Sequence, residues 1–324
     1  MSIEHALSVW LDGTPVGRDQ VGGKGASLGR LLALGAPVPP AFCVTTDAYR
    51  TIARELGLPA RASGIRDDEL DDVRAAIEAA ILPDAIRQTL HDGFRTLDGR
   101  SDGPLAAAVR SSATAEDSAT FSFAGLHESI LDVRDPASLE VAVKRCWASL
   151  WTDRAISYRR QGGLATDEAT IAVVVQEMVR SDVSVVIFTT DPVSDRADRL
   201  VINATWGLGE ALVSGTVTPD QIVVDAGGRV VEYTIGAKAT MVVPGANGTG
   251  GTREVPVPRL LREAPVLTEE QASSIAAVAR QLAAQLGYEA DLEGGLAGGQ
   301  FYLFQARPIT TLGSPSIGDF HLVA

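Results

Sequence analysis

Two β-rich runs separated by a short polar break constrain the fold of this chain more than any other feature. The runs are TIAVVVQEMV and VSVVIFTTDP, and the break falls at Arg180–Asp182. Runs of this length that are rich in valine and isoleucine favour strands over helices. Because helical and strand patterns alternate on both sides of the break, we predict an α+β chain with mixed strands and two lobes that meet near residue 180.

Helical patterns dominate the chain before the break. Thr45 or Thr46 is a predicted N-cap for the helix DAYRTIAREL. Residues 69–98 are typical of two helices broken at Pro83. Residues 138–161 are predicted to form one long amphipathic helix.

The remaining patterns alternate between strands and turns. PLAAAVRSSAT and QFYLFQARPIT are predicted strands, and Gly227–Gly228 marks the turn of a hairpin. Residues 243–258 are rich in glycine and proline and lack periodicity, so we expect a mobile loop there. Thr268 and Gln271 have the spacing of a capping box at the start of a helix.

Composition limits the classes of function. The chain has 324 residues, of which 45% are hydrophobic, which is enough for a large core and about two domains. A net charge of −13 argues against a nucleic-acid partner. Cys43 and Cys146 lie in apolar surroundings and are predicted to be buried free thiols. No signal peptide or long apolar span is present, so we expect a cytoplasmic protein with no membrane partner.

The stretch QVGGKGASLGRL, residues 20–31, places Lys24 among three glycines ahead of a helical pattern. Glycines let a ligand approach the backbone, and a helix N-terminus attracts anions. The spacing nevertheless differs from that of a P-loop and from G-x-G-x-x-G. From the local residues alone, a phosphate site and a plain turn before a helix remain equally open.

Polar side chains recur at alternate positions near the end of the chain. Gln305 and Arg307 are two residues apart in the last strand, and Asp291 and Glu293 have the same spacing just before it. Alternate residues of a strand point to one face, so each pair should share a face. Carboxylate and amide oxygens suit Mg²⁺. For the carboxylates alone, an acidic hairpin in solvent with Arg307 in a surface salt bridge is the favoured alternative.

Three further segments each allow a functional and a structural interpretation. Arg110 ends a predicted strand and suits phosphate oxygens, with the backbone of Gly125 as a second contact, but a structural ion pair is the simpler alternative. Glu210 follows a glycine turn and is a metal ligand, a base or a helix N-terminal charge. In VVVQEMV, the backbone around Glu177 suits a hinge that reads an adenine edge with Met178 against the ring, or simply a core strand end.

Taken together and in order, these segments resemble a known family. VGGKGASLGRL, AVRSSATAEDS, SFAG, CWASLWTDRA, VVVQEMV, FTTDPV, GLGEALVSGTVTPD and LFQARPIT are similar to the ATP-binding module of phosphoenolpyruvate synthase, pyruvate phosphate dikinase and rifampin phosphotransferase. The resemblance extends from about residue 8 to residue 311. It implies an ATP-grasp fold, in which two α+β lobes with mixed or antiparallel sheets enclose a nucleotide cleft. It also favours a phosphate site at Lys24.

The resemblance implies a nucleotide-binding role for residues before the break. Lys24 and Arg110 match the phosphate-binding lysine and arginine of the family. Gly125 and Ser129 match the loop over the phosphates, where the family commonly has threonine in place of Ser129. Gln176 matches the residue on the adenine side of the hinge.

The residues after the break are implied to hold the metal and the transferred phosphate. Glu293 and Gln305 match Mg²⁺ ligands, and Asp291 matches the acid beside them, which we include as a third ligand. Arg307 matches an arginine that touches the transferred phosphate, and Glu210 has a supporting role. We therefore predict a first lobe over residues 1–180, a second over residues 181–315 and a tail over residues 316–324.

The acceptor of the phosphoryl group is the main departure from the family. Family members carry the phosphoryl group on a histidine of a swivelling domain, and none of His5, His91, His127 or His321 lies in a segment that resembles that motif. We predict a Mg²⁺- and ATP-dependent phosphotransferase whose partner is a separate phosphohistidine-domain protein. A freestanding enzyme that phosphorylates a small molecule directly and a non-catalytic nucleotide-binding regulator are the alternatives.

Overall fold

The protein is described by a computed structural model that covers residues 6–58, 65–101, 103–114, 128–161, 169–192, 198–246 and 250–309. The chain divides into two compact units, one formed by Met1–Arg30 with Pro40–Met178 and the other by Leu31–Pro39 with Val179–Ala324. Each unit contains helices and a sheet, so the predicted α+β class is confirmed. All pairings between the described strands are antiparallel rather than mixed.

The first unit is built on a five-stranded sheet with the order β1-β2-β5-β3-β4. Its strands are β1 (Ser8–Leu11), β2 (Ala41–Val44), β3 (Ala107–Ala113), β4 (Ser129–Val133) and β5 (Ile171–Glu177). Its helices are α1 (Arg18–Ala33, whose last three residues belong to the second unit), α2 (Thr46–Glu55), α3 (Leu70–Ala79), α4 (Asp84–Asp98), α5 (Pro136–Ala148) and α6 (Asp153–Gln161).

One face of this sheet is buried in the hydrophobic core. Alternate residues such as Val109, Val173 and Val175 belong to the same apolar cluster as Trp147 of α5, and all four are fully buried. Period-2 alternation directs the intervening residues to the opposite face. Arg110 and Ser112 of β3 and Gln176 of β5 therefore lie on the face opposite this cluster.

The second unit contains a six-stranded sheet with the order β13-β12-β6-β7-β8-β9 and a separate hairpin of β10 and β11. Its strands are β6 (Val183–Phe188), β7 (Arg199–Trp206), β8 (Asp220–Asp225), β9 (Val230–Thr234), β10 (Thr240–Pro244), β11 (Thr252–Pro256), β12 (Ala290–Ala297) and β13 (Gln300–Pro308). Its helices are α7 (Glu210–Val213) and α8 (Glu269–Leu286). The fully buried residues of the sheet, including Ile187, Ile202, Ile222 and Leu292, alternate with polar or half-buried ones.

A buried ion pair links distant segments of the second unit. Lys238 donates to the carboxylate of Asp220, and both side chains are fully buried. Asp220 also accepts from the backbone of Gly236 at 2.9 Å and of Val266 at 2.8 Å, and from the hydroxyl of Tyr233 at 3.1 Å. A buried charge is tolerated when it is fully hydrogen-bonded in this way, so this network holds the segments before β10 and α8 against the sheet.

The single helix predicted over residues 138–161 is wrong. α5 ends at Ala148, a 3₁₀ turn follows over Ser149–Trp151, and α6 begins at Asp153. Tertiary contacts favour the break, because the Trp151 indole donates to the Tyr49 hydroxyl at 2.9 Å. The Arg159 guanidinium also donates to the Leu150 carbonyl at 2.6 Å. Nothing in the periodicity of the segment shows these two hydrogen bonds.

The loop expected over residues 243–258 is also regular in its described part. Thr240–Pro244 and Thr252–Pro256 pair as an antiparallel hairpin, and residues 247–249 lie outside the described residues. The left-handed Gly251 (φ 74°) serves the turn. Cross-strand hydrogen bonds order this segment without the alternation that sequence patterns detect.

Several local predictions are confirmed. Residues 69–98 contain α3 and α4 with Pro83 immediately before the second helix, and the Thr268–Gln271 capping box is formed. Thr45 is the N-cap residue of α2, but its hydroxyl donates to the Ala6 carbonyl at 2.7 Å instead of capping the helix. No helix in the described ranges is long and apolar enough to cross a bilayer.

Candidate functional site

The glycine–lysine segment is a helix interrupted at its first turn. Gly22 has φ 69° and ψ −177° inside α1, so a new helical run begins at the residues around Lys24. A Cβ atom on Gly22 would lie 2.0 Å from the carbonyl oxygen of Ser112, which only glycine avoids. The backbone of α1 therefore lies directly against the backbone of β3 at Gly22.

Ser112 fastens this interruption to the sheet. Its hydroxyl donates to the Val21 carbonyl at 2.8 Å and accepts from the Gly25 N–H at 3.1 Å, and the side chain is fully buried. The start of a new helical run leaves its first N–H groups unpaired. The Ser112 side chain of β3 caps one of them, the N–H of Gly25. The positions on either side of Lys24 are thereby held in place.

Arg110 lies on the same face of β3 as Ser112, two residues earlier. Its cross-strand neighbours are Ser129 of β4 and Val174 of β5, and directly opposed residues point to one face. Arg110 is half-buried and Ser129 is exposed. The structure thus gathers the Lys24 segment, Arg110 and Ser129 on the face that the hydrophobic core leaves uncovered.

The charge of Lys24 affects the buried Cys146 thiol of α5. Burial raises the pKa of the Cys146 thiol, and the nearby charge of Lys24 counters part of that effect. The Cys146 sulfur lies 3.7 Å from the Val109 carbonyl. Burial also raises the pKa of Cys43. Both cysteines are buried free thiols, as predicted, and neither is ionised near neutral pH.

The predicted hinge Gln176–Met178 is tightly bonded within the first unit. Gln176 is almost fully buried. It is opposed to Ala108 of β3 and therefore points to the same face of the sheet as Arg110. The N–H groups of Glu177 and Met178 donate to the carbonyls of Pro40 and Ala106, both at 2.8 Å. Because these N–H groups are engaged, any contact of this segment with a base uses its carbonyls or side chains.

Asp132 is a feature of this end of the sheet that sequence reasoning missed. It is a non-glycine residue with φ 59° and is fully buried, and its carboxylate forms an ion pair with Arg134 at 2.8 Å. Its N–H donates to the sulfur of Met178 at 3.1 Å. The left-handed conformation coincides with the register shift between β3 and β4, which no sequence pattern revealed.

In the second unit, β12 and β13 bring the four predicted polar residues together in register. Asp291 is opposed to Arg307, and Glu293 is opposed to Gln305. The Arg307 guanidinium donates to one carboxylate oxygen of Asp291 through Nε at 2.8 Å, and Nη2 is 2.6 Å from the same oxygen. The predicted sharing of one face is confirmed, and Asp291 is engaged by an arginine, while its assignment as a metal ligand stays a prediction.

Glu293 and Gln305 differ from Asp291 in their contacts. Neither side chain forms a hydrogen bond or an ion pair with any other described residue. Glu293 is half-buried and Gln305 is 7% exposed. A carboxylate and an amide oxygen left open in this way are suited to a hard cation such as Mg²⁺. Within the described ranges no three His, Cys, Asp or Glu side chains cluster around a metal position, so a cation here would use the amide or water as well.

Glu210 begins α7 after the glycine turn, as predicted. One of its carboxylate oxygens is buried and has no hydrogen-bond partner among the described residues. The turn before it is supported by the hairpin, because Leu208 donates to the Val242 carbonyl at 2.8 Å. Gly125 and His127 lie outside the described residues, so the structure says nothing about them.

Comparison with known proteins gives one consistent result. Residues 18–317 match the family model for the pyruvate phosphate dikinase AMP/ATP-binding domain. A rifampicin phosphotransferase of Streptomyces sviceus is 43% identical over 90% of the chain and 34% of its own length. A probable phosphoenolpyruvate synthase of Methanocaldococcus jannaschii is 38% identical over 91% and 26%, respectively. The prodigiosin synthesizing transferase PigC of Serratia marcescens is 39% identical over 91% and 32%. The chain thus spans about a third or less of the length of each of these three relatives.

Proposed function

Because this chain belongs to the pyruvate phosphate dikinase AMP/ATP-binding domain family, whose fold is of the ATP-grasp type, we propose that it binds Mg–ATP and catalyses phosphoryl transfer. The observation that carries the proposal is the division of polar groups between the two units. The first unit holds the Lys24 segment against the sheet face of Arg110, and the second presents Glu293, Gln305 and Arg307 on one face of its own sheet. These are the cations and the oxygen ligands that a triphosphate with its metal requires.

Phosphoryl transfer needs positioning and charge neutralisation rather than covalent help from the protein. In the proposal, Lys24 and Arg110 bind phosphate oxygens, and Ser129 adds a hydroxyl. The Gly22 interruption and the Ser112 hydroxyl hold the Lys24 segment, so little reorganisation is needed when charge spreads in the transition state.

The second group of residues would hold the metal and the transferred phosphate. Glu293 and Gln305 are the proposed Mg²⁺ ligands, and a bound Mg²⁺ neutralises phosphate charge. Asp291 orients the guanidinium of Arg307 through the ion pair described above. Glu210 is proposed to support the nucleotide through its carboxylate.

We propose that the first acceptor is a histidine on a separate swivelling-domain protein. Of the four histidines in the chain, only His91 lies in the described residues, and its ring is held by Glu140 at 2.6 Å on the surface of α4. That contact gives His91 a structural role rather than that of a mobile carrier. Direct phosphorylation of a small molecule is the second candidate and needs no histidine.

The final acceptor is not decided by this part of the sequence. The chain is 43% identical to a relative named for rifampicin and 38% identical to one named for phosphoenolpyruvate synthesis. Similar likeness to proteins with different named products indicates that the shared region handles ATP. The features that select the final acceptor therefore belong to other regions of those relatives.

Labelling with [γ-³²P]ATP and [β-³²P]ATP tests the proposal. The chain is incubated with Mg²⁺ and a candidate histidine-domain protein, and label on the partner is measured with the partner's histidine intact or replaced by alanine. We expect transfer only to the intact partner, and the position of the label identifies the phosphate that moves. Label on a small molecule without any partner would establish the second candidate. Absence of both transfer and ATP turnover, despite ATP binding, would instead support the regulator.

A further inference from the structure

Glu293 and Gln305 belong to a longer row of side chains that crosses the sheet of the second unit. In the sheet, Gln305 is opposed to Glu293, Glu293 to Val186, Val186 to Asn203, and Asn203 to Gln221. Directly opposed residues of antiparallel strands point to the same face. Gln221 is in turn opposed to Thr234 of β9. A transverse row of six side chains therefore crosses the sheet on the face opposite Leu292, Ile187 and Ile202, which are fully buried.

Every member of this row except Val186 is polar. Asn203 is half-buried, as Glu293 is, and lies in a strand whose next residues on either side are fully buried. Its side chain forms no hydrogen bond with any other residue that the structure describes. Asparagine is disfavoured in strands and a half-buried amide without a partner is costly, so the position calls for a ligand or ordered water.

Val186 separates Asn203 from Glu293. Strands are about 4.8 Å apart, so the two polar residues stand roughly 10 Å apart at the backbone, on either side of a short apolar side chain. Glu293 and Asn203 have longer side chains than Val186 and flank it on the same face of the sheet. A hydrated cation fits such a place, because Mg²⁺ keeps several of its waters when it binds to proteins.

We propose that Asn203 is a positioning residue for the metal of the bound nucleotide, with its amide oxygen accepting a hydrogen bond from a water in the shell of the cation. This inference rests on the proposed function, since it assumes that Glu293 and Gln305 bind that cation. It adds a residue from β7, far from both in sequence, to the oxygen set. The role of Asn203 is then to hold the hydration shell of the metal.

Equilibrium binding of Mn²⁺, in the presence of a non-hydrolysable ATP analogue, tests this without relying on turnover. Asn203→Leu keeps the number of side-chain heavy atoms and the branch point but removes the oxygen, and we expect it to weaken Mn²⁺ binding roughly tenfold, the cost typical of losing an outer-shell partner. Asn203→Asp keeps an oxygen acceptor, so its Mn²⁺ affinity should equal or exceed that of the unchanged chain. The matched control is Gln221→Leu, which alters an exposed position of the same row and should leave the affinity unchanged.

The outcomes separate this inference from the proposed function. If Asn203→Leu behaves like Gln221→Leu, or if Asn203→Asp loses as much affinity as Asn203→Leu, the role of Asn203 is overturned. Glu293→Gln is measured in parallel. If Glu293→Gln weakens Mn²⁺ binding while Asn203→Leu does not, only the inference fails; if neither weakens it, the proposed metal site itself is wrong. Thermal unfolding of each variant shows whether its sheet is intact.

Discussion

The polar faces of the two units are built in different ways. In the first unit, the Lys24 segment is locked by backbone geometry, through the Gly22 interruption and two hydrogen bonds to the buried Ser112. In the second, the strands set the register, but Glu293 and Gln305 have no side-chain partner among the described residues. Fixed cations suit a phosphate that must be held in one orientation, while open oxygens suit a metal that arrives and leaves with the nucleotide. Under the proposed function, the rigid segment would hold the phosphates and the open oxygens would bind the cation.

The largest expected effect is on the rate of phosphoryl transfer and concerns Lys24 and Arg110 of the first unit. Lys24→Ala and Arg110→Ala should each leave the fold intact and raise the barrier to phosphoryl transfer by about 3 kcal/mol, the cost of losing one pre-organised electrostatic donor. Single-turnover rates of phosphoryl transfer provide the measurement, with circular dichroism as the check on folding. Unchanged rates in both variants would remove these residues from the proposed site.

The next largest effect is on metal activation and concerns Glu293 of the second unit. Glu293→Gln should weaken metal activation by roughly 10–100-fold, because an anionic ligand is replaced by a neutral one. The Mg²⁺ concentration that gives half-maximal activity is the quantity to measure. Gln221→Glu, at an exposed position of the row that contains Glu293, is the matched control for a change of charge. A normal metal response in Glu293→Gln would contradict the division of roles between the faces.

The backbone lock of the first unit predicts a stability effect. Gly22→Ala should lower the free energy of unfolding by about 2 kcal/mol, since alanine at this φ and ψ is strained and its Cβ overlaps the Ser112 carbonyl. Gly29→Ala is the control in the same helix, where a Cβ meets nothing within 4 Å. That substitution should be stabilising by about 0.5–1 kcal/mol. Equal effects at both positions in urea denaturation would show that the interruption at Gly22 is not rigid.

The smallest effect is a pH dependence confined to the first unit. Burial raises the pKa of Cys43 and Cys146 above the ordinary thiol value. In the unfolded chain these thiols ionise near pH 8.5, so their contribution to stability is present below that pH and is lost as the pH rises above it. We expect the free energy of unfolding to decline above about pH 8.5, and less so in a Cys43→Ala, Cys146→Ala double variant. Native thiols that react with a disulfide reagent as fast as unfolded ones would rule out their burial.

Local sequence patterns predicted much of the fold and one part of the site. The strands on either side of residue 180, the hairpin at Gly227–Gly228 and the capping box at Thr268 all follow from short-range spacing. The two-residue spacing of Asp291 and Glu293 likewise placed both on one face, as the register confirms. These features depend only on the period of a helix or a strand and on turn chemistry, which neighbouring residues supply.

The errors have a common origin. The predicted helix over residues 138–161 is broken where Trp151 bonds to the distant Tyr49 and Arg159 bonds to the Leu150 carbonyl. The segment over residues 243–258 is ordered because β10 pairs with β11. Neither the partner of a side chain nor the neighbour of a strand is encoded in periodicity. A prediction from spacing is therefore weakest where long-range contacts outweigh local preference.

By itself, the sequence determined which residue types were available, which segments form strands or helices, and to which family the chain is similar. Only the tertiary structure decided that Ser112 caps the Lys24 segment, that Asp291 engages Arg307, and that Asn203 stands in one row with Glu293. Strand order and register bring together residues that are far apart in the sequence. The physical reason is that periodicity sets the face on which a side chain lies, whereas the pairing of strands sets its neighbours.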